Sequence, residues 1–192
     1  MNSYICAFIK LNKMIKLHDL EFEPYLGPER IKDVVKQLAE ELSKDYSSKT
    51  PIFLGILNGA FMFLSDLLKY YKGDCEVSFT KLASYKGTSS TGEVSTLLGA
   101  GNLMDRDVIV IEDIVDTGLT LEHIVSQLKK EGVASFKIAS LFFKPEAYKK
   151  SLPIDYIGLE IPNKFIVGYG LDYNGLGRNL PEIYQLKSNI DD

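Results

Sequence analysis

An α/β fold built on a mostly parallel, twisted sheet flanked by helices is predicted by three observations. Apolar runs of strand length alternate along the chain with segments of helical periodicity. The cleanest run, residues 108–111 (VIVI), consists only of β-branched residues and reads as a strand buried on both faces. Successive strands are separated by helices, the connection that parallel pairing requires. In sheets of this kind ligands bind beyond the carboxyl ends of the strands.

Each element has its own justification. The spacing predicts a helix over 28–46. Pro28 suits a first-turn position, Glu29 lies near the positive helix end, and Ile31, Val34, Val35, Leu38 and Leu42 recur at three- and four-residue intervals. Pro51 opens a buried strand (IFLGIL, 52–57), Asn58-Gly59 is a turn, and FMFLSDLLKYY (61–71) is a helix packed on that strand. Residues 75–84 alternate loosely as a strand. The polar stretch 85–95 (YKGTSSTGEVS) reads as a long mobile loop, and 95–101 (STLLGAG) returns as the second arm of a long hairpin. LEHIVSQLKK (121–130) is a helix ended by Gly132, and SFKIASLFF (135–143) is a strand stopped by Lys144-Pro145. From 154 to 186 short strands are broken by Pro162, Gly168, Gly170, Gly175 and Gly177. There is no repeat or linker, so residues 1–192 read as one domain. Met14 begins MIKLHDLEFEPYL, which looks like a natural start, and residues 1–13 read as an upstream extension.

Composition narrows the function. With 192 residues, 45% hydrophobic and 25% charged, the chain has the make-up of an ordinary globular protein. Its 22 basic and 26 acidic residues leave a net charge of −4, which argues against a nucleic-acid binder but not against an anionic small molecule. Cys6 and Cys75 lack metal-binding spacing and read as reduced thiols of a cytoplasmic protein. The apolar stretch 4–11 is interrupted by Lys10 and is too short to span a bilayer, so no membrane association is expected.

The chemistry concentrates in VIVIEDIVDTGLT (108–120). Glu112 and Asp113 stand where the buried strand should emerge into solvent, Asp116 follows, and Thr117, Gly118 and Thr120 turn the chain into a helix. Glycine lets several N–H groups point into one concavity, the helix N-terminus adds unpaired donors, and the threonine hydroxyls add more. That set fits a phosphate, and the neighbouring acids suit sugar hydroxyls or hydrated Mg²⁺. A solvated strand end capped by Thr117 remains the plainer reading of the motif alone. Asp116-Thr117-Gly118 also matches the aspartic-protease tripeptide, but helical periodicity follows it. A P-loop lysine is absent, and Gly99-Ala100-Gly101 has no helix behind it.

Taken with four further stretches, the motif resembles that of the type I phosphoribosyltransferases, and within them the hypoxanthine-guanine phosphoribosyltransferases. Leu57-Asn58-Gly59-Ala60 is similar to the family's pyrophosphate loop. Ser84-Tyr85 and the loop to Thr91-Gly92 resemble its mobile lid, SLFFK (140–144) its base-reading strand, and GLEIPNKFIVGYGLDYNGLGR (158–178) its purine segment. The resemblance implies a phosphoribosyltransferase fold with a small hood from the N- and C-terminal segments. It implies transfer of 5-phosphoribosyl from phosphoribosyl pyrophosphate to N9 of hypoxanthine or guanine, with Mg²⁺, in a homodimer or homotetramer. By the same resemblance Glu112 and Asp113 meet the ribose hydroxyls or Mg²⁺, and Asp116 exchanges a proton near purine N7. Residues 116–120, Leu119 included, hold the 5′-phosphate. Lys144 reads the 6-oxo group, Phe165 stacks on the base, and Ile166 pairs with its edge. Asp172 binds a second Mg²⁺ and reaches an exocyclic amine. Leu57, Asn58, Gly59 and Arg178 take the pyrophosphate, and Ser84 and Tyr85 close the site. Two positions depart from common family usage: Asn58 and Leu119 stand where relatives often carry lysine. The family often has a cis peptide at the position of Leu57-Asn58. A xanthine-preferring enzyme and a nucleotide-sensing regulator of the same fold are the alternatives. His18 and His123 fit no catalytic arrangement, and His123 is expected to face solvent.

Overall fold

The computed structural model describes residues 13–84, 94–98 and 101–187. The chain divides into two compact units, a larger one of Val34–Asn163 and a smaller one that combines Met1–Asp33 with Lys164–Asp192.

The larger unit carries the expected alternation. Its strands are β3 (Ile52–Leu57), β4 (Glu76–Ser84), β5 (Val94–Leu98), β6 (Asp107–Val115), β7 (Ser135–Phe143) and β8 (Tyr156–Glu160), in the spatial order β5-β4-β3-β6-β7-β8. The five from β4 to β8 across the sheet are parallel, and β5 closes one edge antiparallel to β4, as the long hairpin predicts. Helix α1 (Pro28–Asp45) enters the unit, α2 (Phe61–Tyr70) follows β3, and α3 (Leu119–Lys130) follows β6.

Side-chain alternation along the strands decides which helix covers which face. Ile52, Leu54, Ile56, Val108, Val110 and Ile138 form one layer with Leu121, Ile124, Val125 and Leu128 of α3. Burying each such side chain is worth about 1.5–3 kcal/mol, so the apolar stripe of α3 fixes its docking. On the opposite face glycines admit the other two helices. A Cβ at Gly55 would meet Leu64 of α2 at 2.7 Å, and one at Gly158 would meet Val34 and Leu38 of α1 at 2.8 and 3.2 Å.

One strand runs further than its apolar stretch suggests. β6 continues through Val115, so Glu112 and Asp113 lie inside the ladder with exposures of only 7% and 8%, and not at a wet strand end. His123 also departs from expectation: it is half-buried, and its Nε2 is enclosed with no hydrogen-bond partner.

The smaller unit is a four-stranded antiparallel sheet of order β1-β2-β10-β9, made of β1 (Ile15–Leu17), β2 (Leu20–Leu26), β9 (Ile166–Val167) and β10 (Ile183–Leu186). Patterning assigns no element to 15–26, yet two strands form there, turning through His18 at φ +50°. Pro24 has no N–H for the ladder, and the bulge between Ile183 and Tyr184 falls opposite it. Phe22, Val167 and Tyr184 make a small core with Leu17, Leu20, Tyr173 and Leu186 around them. His18 is structural, as expected, with its Nε2 3.2 Å from the Asn174 carbonyl and its ring edge-on to Tyr173.

Gly168 is a pivot of this small sheet. Its φ is +104°, and a Cβ there would overlap the Glu182 carbonyl oxygen. Gly168→Ala is therefore expected to destabilise the protein by about 2–4 kcal/mol, seen as a lower urea midpoint.

Candidate active site

Three strand ends of the larger unit carry the candidate residues. At the end of β3 the Leu57–Asn58 peptide is cis. Asn58 is exposed, and α2 begins just beyond with Ala60 as N-cap and no side-chain cap. The first N–H groups of that helix are thus left for an external anion. Gly59 packs on the acidic pair: a Cβ there would overlap the Asp113 carboxylate, so this turn tolerates only glycine.

At the end of β6, burial in a low-dielectric setting pushes the Glu112 carboxyl well above its ordinary pKa, and the neighbouring Asp113 adds to the shift. Glu112 Oε2 is enclosed and has no hydrogen-bond partner. The chain then turns through Asp116 and Thr117 to Gly118, which heads α3 at φ +83° and provides no side-chain cap. Thr117 and Leu119 are exposed, and Thr120 is half-buried. The plainer reading, a helix capped by the Thr117 hydroxyl, does not hold, because the N-cap is Gly118. The exposed Leu119 side chain leaves the loop to its backbone donors.

At the end of β7 stands Lys144. A strand-end lysine is ordinarily solvated, but Lys144 is 6% exposed. Its ammonium donates to Asp116 Oδ2 at 3.0 Å, and its backbone N–H donates to the Val115 carbonyl at 3.0 Å. The β6–β7 register pairs Val115 with Phe143, so the next residues, Asp116 and Lys144, fall side by side.

The smaller unit holds the remaining candidates. Phe165 is 42% exposed, an uncommon setting for a phenylalanine, with its ring 6.1 Å from Phe22 and edge-on to Tyr173 at 5.9 Å. Ile166 is buried in β9, which among the described residues is the edge strand of its sheet and pairs with β10 alone. Asp172 accepts the Gly175 N–H at 2.7 Å and pairs with Arg178 at 2.5 Å, while Arg178 also donates to the Gly170 carbonyl at 2.6 Å. Asp172 and Arg178 therefore tie the 170–178 loop together. Of the lid candidates, Ser84 ends β4, and Tyr85 and the loop to residue 93 lie outside the described residues.

Among the described residues no three His, Cys, Asp or Glu side chains gather into a metal cluster. Mg²⁺ does not need one, since it is commonly held by one or two carboxylates with substrate oxygens completing the shell. The hard oxygen donors of Glu112 and Asp113, with the orphaned Glu112 Oε2, fit such an ion. Asp172 would have to share oxygens already engaged by Gly175 and Arg178. None of the helices among the described residues is long and apolar enough to cross a membrane.

Comparison with known proteins agrees with this geometry. Residues 25–174 match the model of the phosphoribosyl transferase domain. A hypoxanthine-guanine phosphoribosyltransferase of Staphylococcus aureus is 41% identical over 176 residues, covering 91% of this chain and 98% of the relative. Its namesake from Streptococcus pyogenes is 43% identical over 157 residues, covering 81% and 87%. The crystal structure of a hypoxanthine phosphoribosyltransferase from Staphylococcus aureus superposes with a TM-score of 0.81 at 42% identity, over 86% of this chain and 91% of that one. The family-model match over residues 25–174, with relatives 41–43% identical over more than four fifths of either chain, means that the chain belongs to the phosphoribosyltransferase family.

Proposed function

We propose that this chain is a purine salvage enzyme that transfers the 5-phosphoribosyl group of phosphoribosyl pyrophosphate to N9 of hypoxanthine or guanine, giving IMP or GMP and pyrophosphate. The observation that carries the reading is the Lys144–Asp116 pair beside the buried acids of β6. A buried ammonium can donate but not accept, so it suits a 6-oxo group and rejects a 6-amino group.

The reaction builds positive charge at the anomeric carbon and negative charge on the leaving pyrophosphate. Glu112 and Asp113 take the ribose hydroxyls. The N–H groups of 117–120 and the Thr117 and Thr120 hydroxyls hold the 5′-phosphate, and Asp116 exchanges the proton at purine N7. Leu57, Asn58 and Gly59 offer backbone groups at the uncapped start of α2 to the pyrophosphate, and Arg178 offers its guanidinium. Phe165 stacks on the base, and the free edge of β9 at Ile166 presents backbone groups to it. Ser84 and Tyr85 cover the bound substrates and exclude water. Mg²⁺, when bound with the pyrophosphate oxygens, supplies charge neutralisation, and Glu112, Asp113 and Asp172 are the carboxylates offered to it.

The reading places the enzyme in the cytoplasm as a homodimer or homotetramer. An apolar surface on the larger unit supports self-association: Val77 and Phe79 alternate onto one face of β4, and both are exposed, as is Phe61 of α2.

Kinetics with hypoxanthine, guanine, xanthine and adenine test the proposal. Hypoxanthine should react well and guanine also, with adenine disfavoured by about 10⁴-fold. Lys144→Ala should erode turnover of 6-oxopurines most while leaving phosphoribosyl pyrophosphate binding largely intact. Comparable rates for adenine and hypoxanthine would remove Lys144 from base recognition.

Asp116→Asn should lower kcat by about 10²–10⁴-fold, with a much smaller change in the KM for phosphoribosyl pyrophosphate. Near-normal turnover in that variant would exclude Asp116 from proton transfer.

Glu112 makes stability depend on pH. Its folded pKa lies above its unfolded value, so the folded protein retains a proton that the unfolded chain releases as pH rises through the ordinary carboxylate range. Stability is lost from the ordinary carboxylate range up to the raised pKa of the folded state. In metal-free buffer Glu112→Gln should raise the denaturation midpoint at neutral pH and change it little below the carboxylate range. The same variant should bind phosphoribosyl pyrophosphate more weakly, which calorimetry would record.

A further inference from the structure

We propose that Tyr148 is a positioning residue that holds the phosphate-binding loop from behind and joins it to the base-reading lysine. The inference rests on the reading of 116–120 as that loop. The loop has little of its own to fix it: its N-cap is a glycine in the left-handed region, and no side chain caps α3. Its N–H groups must nevertheless converge on one point if they are to bind a phosphate.

Packing from outside provides the constraint. A Cβ at Gly118 would stand 2.5 Å from Tyr148 Cε2 and 2.8 Å from Lys150 Cγ, so the tyrosine ring lies directly against the loop backbone. Glycine is required here for its φ and also for this approach. The ring is itself immobilised. It meets Phe143 edge-to-face at 5.3 Å, and its hydroxyl donates to the Leu152 carbonyl at 2.5 Å. Burial and the nearby Glu122 both push the phenol pKa up, which keeps that donor protonated. Lys150 adds a second tie, 2.6 Å from Glu122 in the first turn of α3.

The brace begins at the base-reading residue. The N–H groups of Ala147 and Tyr148 both donate to the Lys144 carbonyl, at 3.2 and 3.1 Å. One tight turn therefore connects the lysine assigned to the purine with the ring that backs the phosphate loop. A displacement of the loop by about 1 Å can cost on the order of 10²-fold in rate, so this packing bears directly on turnover.

Steady-state kinetics and IMP calorimetry on the full chain, with thermal melts alongside, test the assignment. Tyr148→Ala should raise the KM for phosphoribosyl pyrophosphate and the Kd for IMP by about tenfold, with the KM for hypoxanthine changed less than about twofold. Tyr148→Phe keeps the ring against Gly118 and should recover most of that loss. Should the alanine variant fail to fold, Tyr148→Leu keeps apolar volume without the flat ring and gives the same readout. The double variant Thr117→Ala/Thr120→Ala reports on the loop itself. Unchanged phosphoribosyl pyrophosphate KM in that variant would overturn the loop reading, and this proposal with it. A loss there without a loss in folded Tyr148→Ala would overturn the brace alone. A lowered melting temperature with equal shifts in both KM values would also overturn it, leaving Tyr148 a merely structural residue.

Discussion

The site depends on the parallel register between β6 and β7. Val115 opposite Phe143 makes Asp116 and Lys144 the next pair, and it sets the Lys144 N–H on the Val115 carbonyl. From that one alignment come the direction in which the chain leaves β6, the burial of Lys144 and the ion pair between the two side chains. Shifting the register by one residue would send every side chain to the opposite face, so the apolar layers of the sheet hold the polar pair in place as firmly as they hold themselves.

What the sequence disclosed was the local part of this arrangement. Strands such as 52–57 and 135–143 are continuous apolar runs, and α1 and α3 show their stripes, so each could be read from its own residues. Non-local facts were not legible in the same way. Glu112 and Asp113 read as a wet strand end because charge usually marks an exit from the core. Their burial follows from β6 keeping its pairing to Val115 and from Gly59 lying over Asp113. Apart from the resemblance, nothing local marks Lys144 as buried; its partner, the Asp116 carboxylate at 3.0 Å, comes from the neighbouring strand's end 28 residues earlier. The hairpin at 15–26 has a proline and scattered charges, and it becomes a sheet only because β10 supplies a partner. His123 sits on the flank of α3, where helical periodicity alone does not separate a covered position from an open one.

Function is also visible as local disagreement with good folding practice. An orphaned carboxylate oxygen at Glu112 and a phenylalanine 42% exposed would each be improved by substitution if stability were the only demand. Their concentration in the segments assigned to substrate, against a core of ordinary apolar layers, is the pattern expected where a fold gives up some stability to keep donors and acceptors available.

The small sheet has a consequence for how the molecule comes into being. β2 pairs with β10, and Tyr184 aligns with Pro24 across most of the chain. On a ribosome working from the N-terminus, β2 has β1 beside it but must wait for β10 while all the parallel strands of the larger unit are synthesised and can already fold. Closing so long a loop adds only slowly to the entropic penalty, since that penalty grows with the logarithm of length. Timing is the harder constraint: Phe165, Ile166, Asp172 and Arg178 belong to the smaller unit, whose sheet has no complete form until β10 has emerged. A nascent chain thus passes through a stage in which the larger unit can be folded and the smaller sheet cannot yet be complete.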